Sequence, residues 1–302
     1  VDASRVGCLP LAPGVYRFRD AAGRVLYVGR AVSLRRRVAS YWGDLGDRRH
    51  LTVMVARIAR VEAVPCDSAH EAAWLERNLL QRRLPPWNRS PSGGQEAEVW
   101  IRLSASARAP GLAVVHQPGP PEVAARYFGP YLGGQKVRDA VSGLGRVLPL
   151  GYAADAAAGT ARDLARVRGA APGARAALAA ALTAVLDRDP GAVTSLQAEL
   201  TARRDAAAAA LAFEFAGRLQ AELEALAWIA GAQKVTQALP CDLDVHGWAD
   251  GIRVSFEIRG GRLTGWRQRS CTAAAARRYL AQSPPEWAAF AARAAALAAR
   301  LR

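Results

Sequence analysis

The stretch "PGVYRFRDAAGRVLYVGR", residues 13 to 30, constrains the chain more than any other. Two short apolar runs flank Asp20-Ala21-Ala22-Gly23, and each carries a tyrosine near its middle, Tyr16 and Tyr27, with Gly29-Arg30 directly after the second. A short break of polar and small residues between two alternating runs predicts a β-hairpin. Two registers are open. A two-residue turn sets Tyr16 opposite Tyr27, whereas a type I turn with Gly23 as a bulge shifts the pairing by one. Taken alone, the tyrosine pair reads equally well as aromatic filler on a surface hairpin.

The following segments give the pair company. "AVSLRRRVASYW" predicts a helix capped by Ser33. Helical spacing sets Leu34, Arg37, Val38 and Tyr41 on one stripe, while Arg35 and Arg36 point elsewhere. An arginine on the stripe meant for the core is costly unless it meets an anion. "LTVMVARIARVEAVPC" predicts a helix leading into a strand around Val61 to Val64. "SAHEAAWLERNLLQRRLPPWN" predicts a helix capped by Ser68 and stopped by Pro85-Pro86, with Ala72, Leu75, Leu79 and Leu80 as its apolar face. Glu76 borders that face, where a carboxylate needs a cation or a metal. Phosphodiester hydrolysis needs a base, positive charge and usually a metal ion. Tyrosine serves as that base only where cations lower its pKa, a part open to Arg30 and Arg37, with Glu76 holding the metal. One carboxylate implies one ion.

Composition narrows the partner. The chain of 302 residues carries a formal charge of +15, supplied almost wholly by arginine, since Lys136 and Lys234 are the only lysines. Guanidinium groups bind phosphates in a fork geometry, so a polyanion is expected. No stretch is long and apolar enough to span a membrane, and no signal-peptide pattern opens the sequence. A cytoplasmic, nucleoid-associated protein without a membrane partner is expected. Cys8, Cys66, Cys241 and Cys271 are scattered without a CxxC pair, which argues against a zinc or iron–sulfur centre.

The chain divides by pattern into an α/β unit over 1–90, a linker over 91–98 and a second small α/β unit over 99–150. Alanine-rich helices fill 151–190, an antiparallel helical pair 191–232, and a β-hairpin with C-terminal helices 233–302. In the second unit "VWIRLS" and "LAVVHQ" read as strands, "YFGPYLGGQ" as a loop and "KVRDAVSGLGRVL" as a helix. "IRVSFEIRGGRLTGWRQRS" reads as a hairpin turning at Gly260-Gly261, and "AARAAALAARLR" as a surface helix.

"GVY" at 14–16 and "YVG" at 27–29 resemble the signature pair of the GIY-YIG endonucleases. The match continues through Arg30, Arg37 and Tyr41 in "RRRVASYW", Glu76 in "LERNLL" and Asn88 in "PPWN". The resemblance implies an α/β (α+β) nuclease domain, a small mixed sheet flanked by helices. Its catalytic set maps onto Tyr16, Tyr27, Gly29, Arg30, Arg37, Tyr41 and Asn88. A motif tyrosine acts with the metal to activate water, the basic residues stabilise the transition state, and Glu76 is the sole protein ligand of one Mg²⁺ or Mn²⁺. Arg30 stands where lysine is usual, and Trp87 where tyrosine is usual.

The rest of the chain resembles the family branch of the excinuclease C proteins and their short homologues. Residues 126–150 look like the branch's "YFGPY" segment, and "LAFEFAGRLQAEL", 211–223, is similar to the UVR hairpin through which the excinuclease B and C proteins meet. That resemblance implies double-stranded, damaged DNA as substrate, and the excinuclease B protein as a partner engaged through Phe213 and Glu214. Gln220 and Ala221 replace the hairpin's usual Arg-Asp pair. Arg35, Arg36, Lys136 and Arg138 are expected to bind DNA. The branch's iron–sulfur cysteines have no counterpart in 151–190, so no cluster is expected. No ribonuclease-H-like second nuclease pattern follows, so a single incision is expected. Three other readings share parts of this pattern: a non-catalytic DNA-binding adaptor, a nuclease of mobile DNA or restriction, and the nuclease part of a larger fusion.

Overall fold

The hairpin forms, in neither expected register. In the computed structural model, which describes residues 3–43, 51–90, 97–120, 124–155, 159–170 and 173–302, β1 (Gly14–Arg19) and β2 (Val25–Ala31) pair antiparallel. Gly23, at φ +79°, donates its N–H to the Asp20 carbonyl, and Asp20 Oδ1 accepts the Arg24 N–H. This glycine bulge moves the pairing by one residue. A second irregularity, which leaves Leu26 unpaired, moves it by one more. Tyr16 therefore faces Gly29, and Phe18 faces Tyr27. A shift of one would have put the tyrosines on opposite faces; a shift of two keeps them on the same one.

β3 (Arg60–Pro65) joins the other edge of β1, giving the order β2-β1-β3 with every pair antiparallel. The expected mixed sheet is thus corrected: β3 runs back against β1, and no parallel crossover is made. Helices α1 (Ala3–Gly7), α2 (Leu34–Ala39), α3 (Thr52–Ala56) and α4 (Ala69–Arg82) complete the segment. Ser33 holds the cap position of α2 without a side-chain bond; the carbonyls of Ala12 and Pro10 take the Leu34 and Arg35 N–H groups instead. Ser68 caps α4 through its side chain, accepting the Glu71 N–H at 2.9 Å while the Glu71 carboxylate reaches back to the Asp67 N–H.

Residues 1–95 and 232–302 form one compact unit, and 96–231 form another. In the first, β7 (Leu243–Ala249), β8 (Ile252–Arg259) and β9 (Arg262–Ser270) make an antiparallel meander, turning at Gly260 and Gly261, both at positive φ. Helix α10 (Ala273–Leu280) follows, then α11 (Pro285–Arg300). The surface role expected for the last helix is overturned. Trp287, Phe290, Ala291, Ala294, Ala295, Leu297 and Ala298 of α11 are buried, and Leu297 and Leu301 belong to the same core as Tyr16, Phe18 and Val38. Alanine contributes little to a hydropathy pattern, yet it lets a helix approach a sheet closely. Gly247 of β7 lies so near that a Cβ there would come within 2.0 Å of the Ala291 carbonyl oxygen. Polar stitches secure the two sequence segments: Asn78 donates to Val235 O and Thr236 Oγ1, and Lys234 N–H donates to Glu71.

The second unit carries the sheet β5-β4-β6, built from β4 (Glu98–Ser104), β5 (Gly111–Val115) and β6 (Ala125–Leu132). "YFGPYL" is part of β6, not a loop; Pro130 is tolerated because β6 is an edge strand. Helix α5 (Gly134–Val147) packs on this sheet, and α6 (Thr160–Val167) and α7 (Arg175–Leu186) follow. Helices α8 (Pro190–Ala209) and α9 (Phe213–Ala230) pair through Leu196, Leu200, Leu219 and Leu226. The linker expected over 91–98 falls mostly outside the described residues; Glu98 already belongs to β4. No helix among the described residues is long and apolar enough to cross a membrane.

Candidate active site

Strand alternation sends Tyr16 and Phe18 to one face of β1 and Arg17 and Arg19 to the other. On the tyrosine face, Tyr27 from β2 and Tyr41 from the end of α2 close a triangle with Tyr16. The ring centroids are 6.2 Å apart for Tyr16–Tyr27, 5.9 Å for Tyr16–Tyr41 and 6.1 Å for Tyr27–Tyr41. The hydroxyls of Tyr16 and Tyr41 share a hydrogen bond of 2.8 Å. Gly29 leaves the space that Tyr16 fills: a Cβ at that position would lie 2.5 Å from the Tyr16 hydroxyl and 2.7 Å from the Tyr27 ring. The glycine of the second motif is thus a steric requirement of the first motif's tyrosine.

The cations and the carboxylate arrive from two helices and a strand end. The Arg37 guanidinium sits 5.5 Å above the Tyr41 ring. Although partial burial pulls its pKa down, the nearby tyrosine hydroxyls outweigh that and hold it cationic. Glu76 is buried on α4, as its helical position requires, and its carboxylate is clasped by Arg30. One oxygen accepts the Arg30 backbone N–H at 3.2 Å and the other meets the Arg30 Nε at 3.0 Å. Asn88 lies beside the outer edge of β2, accepting the Val28 N–H and donating to the Val28 carbonyl, so its amide extends the sheet like a strand partner.

The electrostatics differ from expectation in one respect. Arg37 lowers the pKa of both Tyr16 and Tyr27, but burial raises them more, and the tyrosines raise one another; Glu76 adds to the rise at Tyr27. Both phenols are pushed above their ordinary value. The one nearby cation does not offset removing two phenolates from water.

The remaining expected residues lie elsewhere. Arg35 and Arg36 are exposed on α2, with the Arg35 Nε donating to the Leu9 carbonyl. Lys136 and Arg138 belong to the other unit, where Lys136 stacks on Trp228 and Arg138 bonds Gln135. Phe213 and Glu214 are exposed at the start of α9. Sequence reasoning passed over several contributors on both faces of the sheet. Phe18 is buried between Tyr27 and Tyr41, with ring centroids at 6.2 and 4.9 Å, and the exposed Trp42 reaches its edge. The period-two alternation that carried Tyr16 also carried Phe18, so that signal was available. On the opposite face, Glu62 gathers Arg17, Arg19 and Arg60, and Arg17 stacks 3.8 Å over Trp266 and donates to its carbonyl. Only the fold brings Trp266 there.

Residues 12–89 match the family described as the UvrC-like GIY-YIG domain. The UvrABC system protein C of Geobacter metallireducens is 37% identical over 150 residues, 49% of this chain and 24% of that protein. That of Mycolicibacterium paratuberculosis is 33% identical over 281 residues, 86% of this chain and 42% of that protein. The chain spans less than half the length of these curated relatives. Among solved structures it is similar to the GIY-YIG N-terminal endonuclease domain of UvrC from Thermotoga maritima bound to its catalytic divalent cation, magnesium. That match has 26% identity and a TM-score of 0.26, covering 28% of this chain and 93% of that one. The segment that matches the UvrC-like GIY-YIG domain, residues 12–89, is the one that carries the tyrosine triangle, Arg30, Arg37, Glu76 and Asn88.

Proposed function

We propose that this site hydrolyses phosphodiester bonds of DNA, making a single-strand incision near damaged nucleotides in nucleotide excision repair. One observation supports the reading above all: β1, β2, α2 and α4 bring three tyrosines and Arg37 together with a buried carboxylate, Glu76, which is paired with Arg30 and near enough to raise the Tyr27 pKa. Filler or a plain adaptor surface has no use for a buried carboxylate beside a tyrosine cluster. The donor set fits one hard divalent cation, Mg²⁺ or Mn²⁺. It offers a carboxylate near phenolic oxygens, and Mg²⁺ is commonly held by one or two carboxylates with waters completing its shell. Glu76 would hold the ion. When bound, the ion supplies Lewis acidity toward water and a phosphoryl oxygen, and the positive charge that Arg37 alone does not provide to the raised tyrosines.

The chain's own residues then divide the work. Tyr16 and Tyr27, protonated at neutral pH, would orient the attacking water through their hydroxyls, and the Tyr16–Tyr41 bond would fix the Tyr16 hydroxyl; a tyrosine takes the water's proton only as the phenolate, after its own proton has left to solvent. Arg30 and Arg37 meet the negative charge that grows on the phosphoryl oxygens. Asn88 and Gly29 position β2 and the tyrosines. Arg35, Arg36, Lys136 and Arg138 hold DNA, Phe213 and Glu214 dock the excinuclease B protein, and no iron–sulfur cluster takes part. A protein with this task works in the cytoplasm at the nucleoid. The test is incubation of a labelled, lesion-bearing duplex with Mg²⁺ or Mn²⁺, with and without the damage-recognition complex. Nicking of one strand is expected. Glu76→Gln is expected to abolish it while DNA affinity stays within a few-fold. Substantial nicking by this variant in Mg²⁺ would remove the metal role from Glu76.

A further inference from the structure

The face of the β7-β8-β9 meander opposite α11, partly covered by Tyr279 of α10, is arranged in rows across its strands. Trp248, Arg253 and Arg269 pair in one row, and His246, Ser255 and Arg267 in the next; Asp244, Glu257 and Gly265 make the third. A depression of about 170 Å³ opens among Asp244, His246, Arg253, Ser255, Arg267 and Arg269. Its two carboxylates are already engaged: Asp244 pairs with Arg259, and Glu257 with Arg82 and Arg267. Arg253 and Arg269 have no carboxylate partner among the described residues, yet they stand directly opposite one another on adjacent strands. Like charges in that position destabilise a sheet.

Arg253 is also held in place. Its guanidinium lies 3.6 Å over the Tyr279 ring, and its Nε is buried without a hydrogen-bond partner. His246 turns its Nδ1 to Ser255 and its ring edge to Tyr279, at a centroid distance of 5.2 Å. A stacked, pre-oriented arginine facing a second arginine across a small hollow is complementary to a tetrahedral oxyanion, which both forks can grip at once.

We propose that Arg253 and Arg269 grip a backbone phosphate of the DNA strand, forming an anchor separate from the tyrosine site of the same unit. The proposal rests on the reading of this protein as a DNA enzyme, but not on cleavage. An anchored phosphate removes the repulsion between the two guanidinium groups, and it carries no sequence information, as suits an enzyme directed by damage.

The experiment measures binding of a fluorescent duplex to the full chain in EDTA across a salt series, so that cleavage plays no part. Arg269→Gln and Arg253→Gln/Arg269→Gln are compared with wild type and with Arg57→Gln, a charge-matched change at another exposed arginine of the unit. The double variant is expected to bind about five- to tenfold more weakly at low salt, with a salt slope smaller by about one, the share of a single phosphate. Arg269→Gln is expected to melt at or above the wild-type temperature at low salt, because a repulsive pair is relieved. Equal losses in Arg57→Gln would reduce the effect to net charge and overturn the anchor. A fall in melting temperature for Arg269→Gln would mark it as a structural arginine and also overturn it. Inorganic phosphate at constant ionic strength provides the last arm. If it raises the melting temperature of wild type and not of the double variant while DNA affinity is unchanged between them, the site takes free phosphate and the strand assignment fails. Mg²⁺-dependent nicking by wild type is scored separately, so failure of the nuclease reading is distinguishable from failure of the anchor.

Discussion

Tyr16 illustrates how one residue couples packing to chemistry. It is fully buried, it bonds Tyr41, and its hydroxyl fills the space that Gly29 leaves open. Gly29→Ala is therefore expected to cost about 1–3 kcal/mol of stability, as overpacking does, because the atoms it meets belong to the buried Tyr16 ring and the half-buried Tyr27 ring. Chemical denaturation measures the loss, and nicking should fall with it as Tyr16 is displaced. The raised pKa values of Tyr16 and Tyr27 also set a pH dependence. Below the ordinary value of 10.0, folded and unfolded chains both hold these protons. Above it the unfolded chain releases them and the folded site does not, so stability falls as pH rises. Tyr16→Phe should flatten that decline, as read from denaturation midpoints on either side of pH 10.0. An unchanged slope would show that Tyr16 ionises normally in the folded protein.

At the scale of elements, α11 is the surprise. Its face of alanines with Trp287, Phe290 and Leu297 packs against the β7-β8-β9 meander and reaches the core beneath Tyr16. Phe290 is fully buried, with its ring 5.3 Å from Phe256 and 5.6 Å from Trp287. Phe290→Ala is expected to destabilise the first unit by about 3–5 kcal/mol, the cost of a large buried cavity. Denaturation followed by tryptophan fluorescence checks this. Because α11 shares a core with the nuclease motif, nicking should become heat-labile although Phe290 lies far along the chain from residues 12–89. Independent unfolding of the two segments would contradict the shared core.

For the whole molecule, the exposed start of α9 is the place to look for a partner. Phe213 is 66% exposed, so Phe213→Ala should change stability by less than about 0.5 kcal/mol. If the helical pair docks the excinuclease B protein, the same change should cost about 1–3 kcal/mol of partner affinity, the range for a buried interface anchor. Calorimetric titration reads the affinity, and partner-free nicking should be unaffected. Equal loss with and without the partner would make the pair merely structural. The purified protein should also lack iron–sulfur absorption in the visible, since residues 151–190 contain no cysteine.

The sequence by itself determined the local elements and the candidate chemistry. Alternation marked the hairpin, the Ser68 cap and Pro85-Pro86 bounded α4, and helical spacing set Glu76 at the edge of an apolar face. These are short-range rules, each satisfied within a few residues. What lay beyond them needed the tertiary structure. The hairpin register depended on a second bulge at Leu26, which no turn rule announces, and that bulge decided which residue faces Tyr16. The raised phenol pKa values follow from how deeply the rings are buried, a property of the assembled core rather than of any spacing. The place of α11 was hidden for the same reason: alanine carries almost no hydropathy signal, and its worth lies in how closely it lets Gly247 and Ala291 approach. Contacts between residues far apart in the chain are set by shape and burial together, and only the folded molecule contains both.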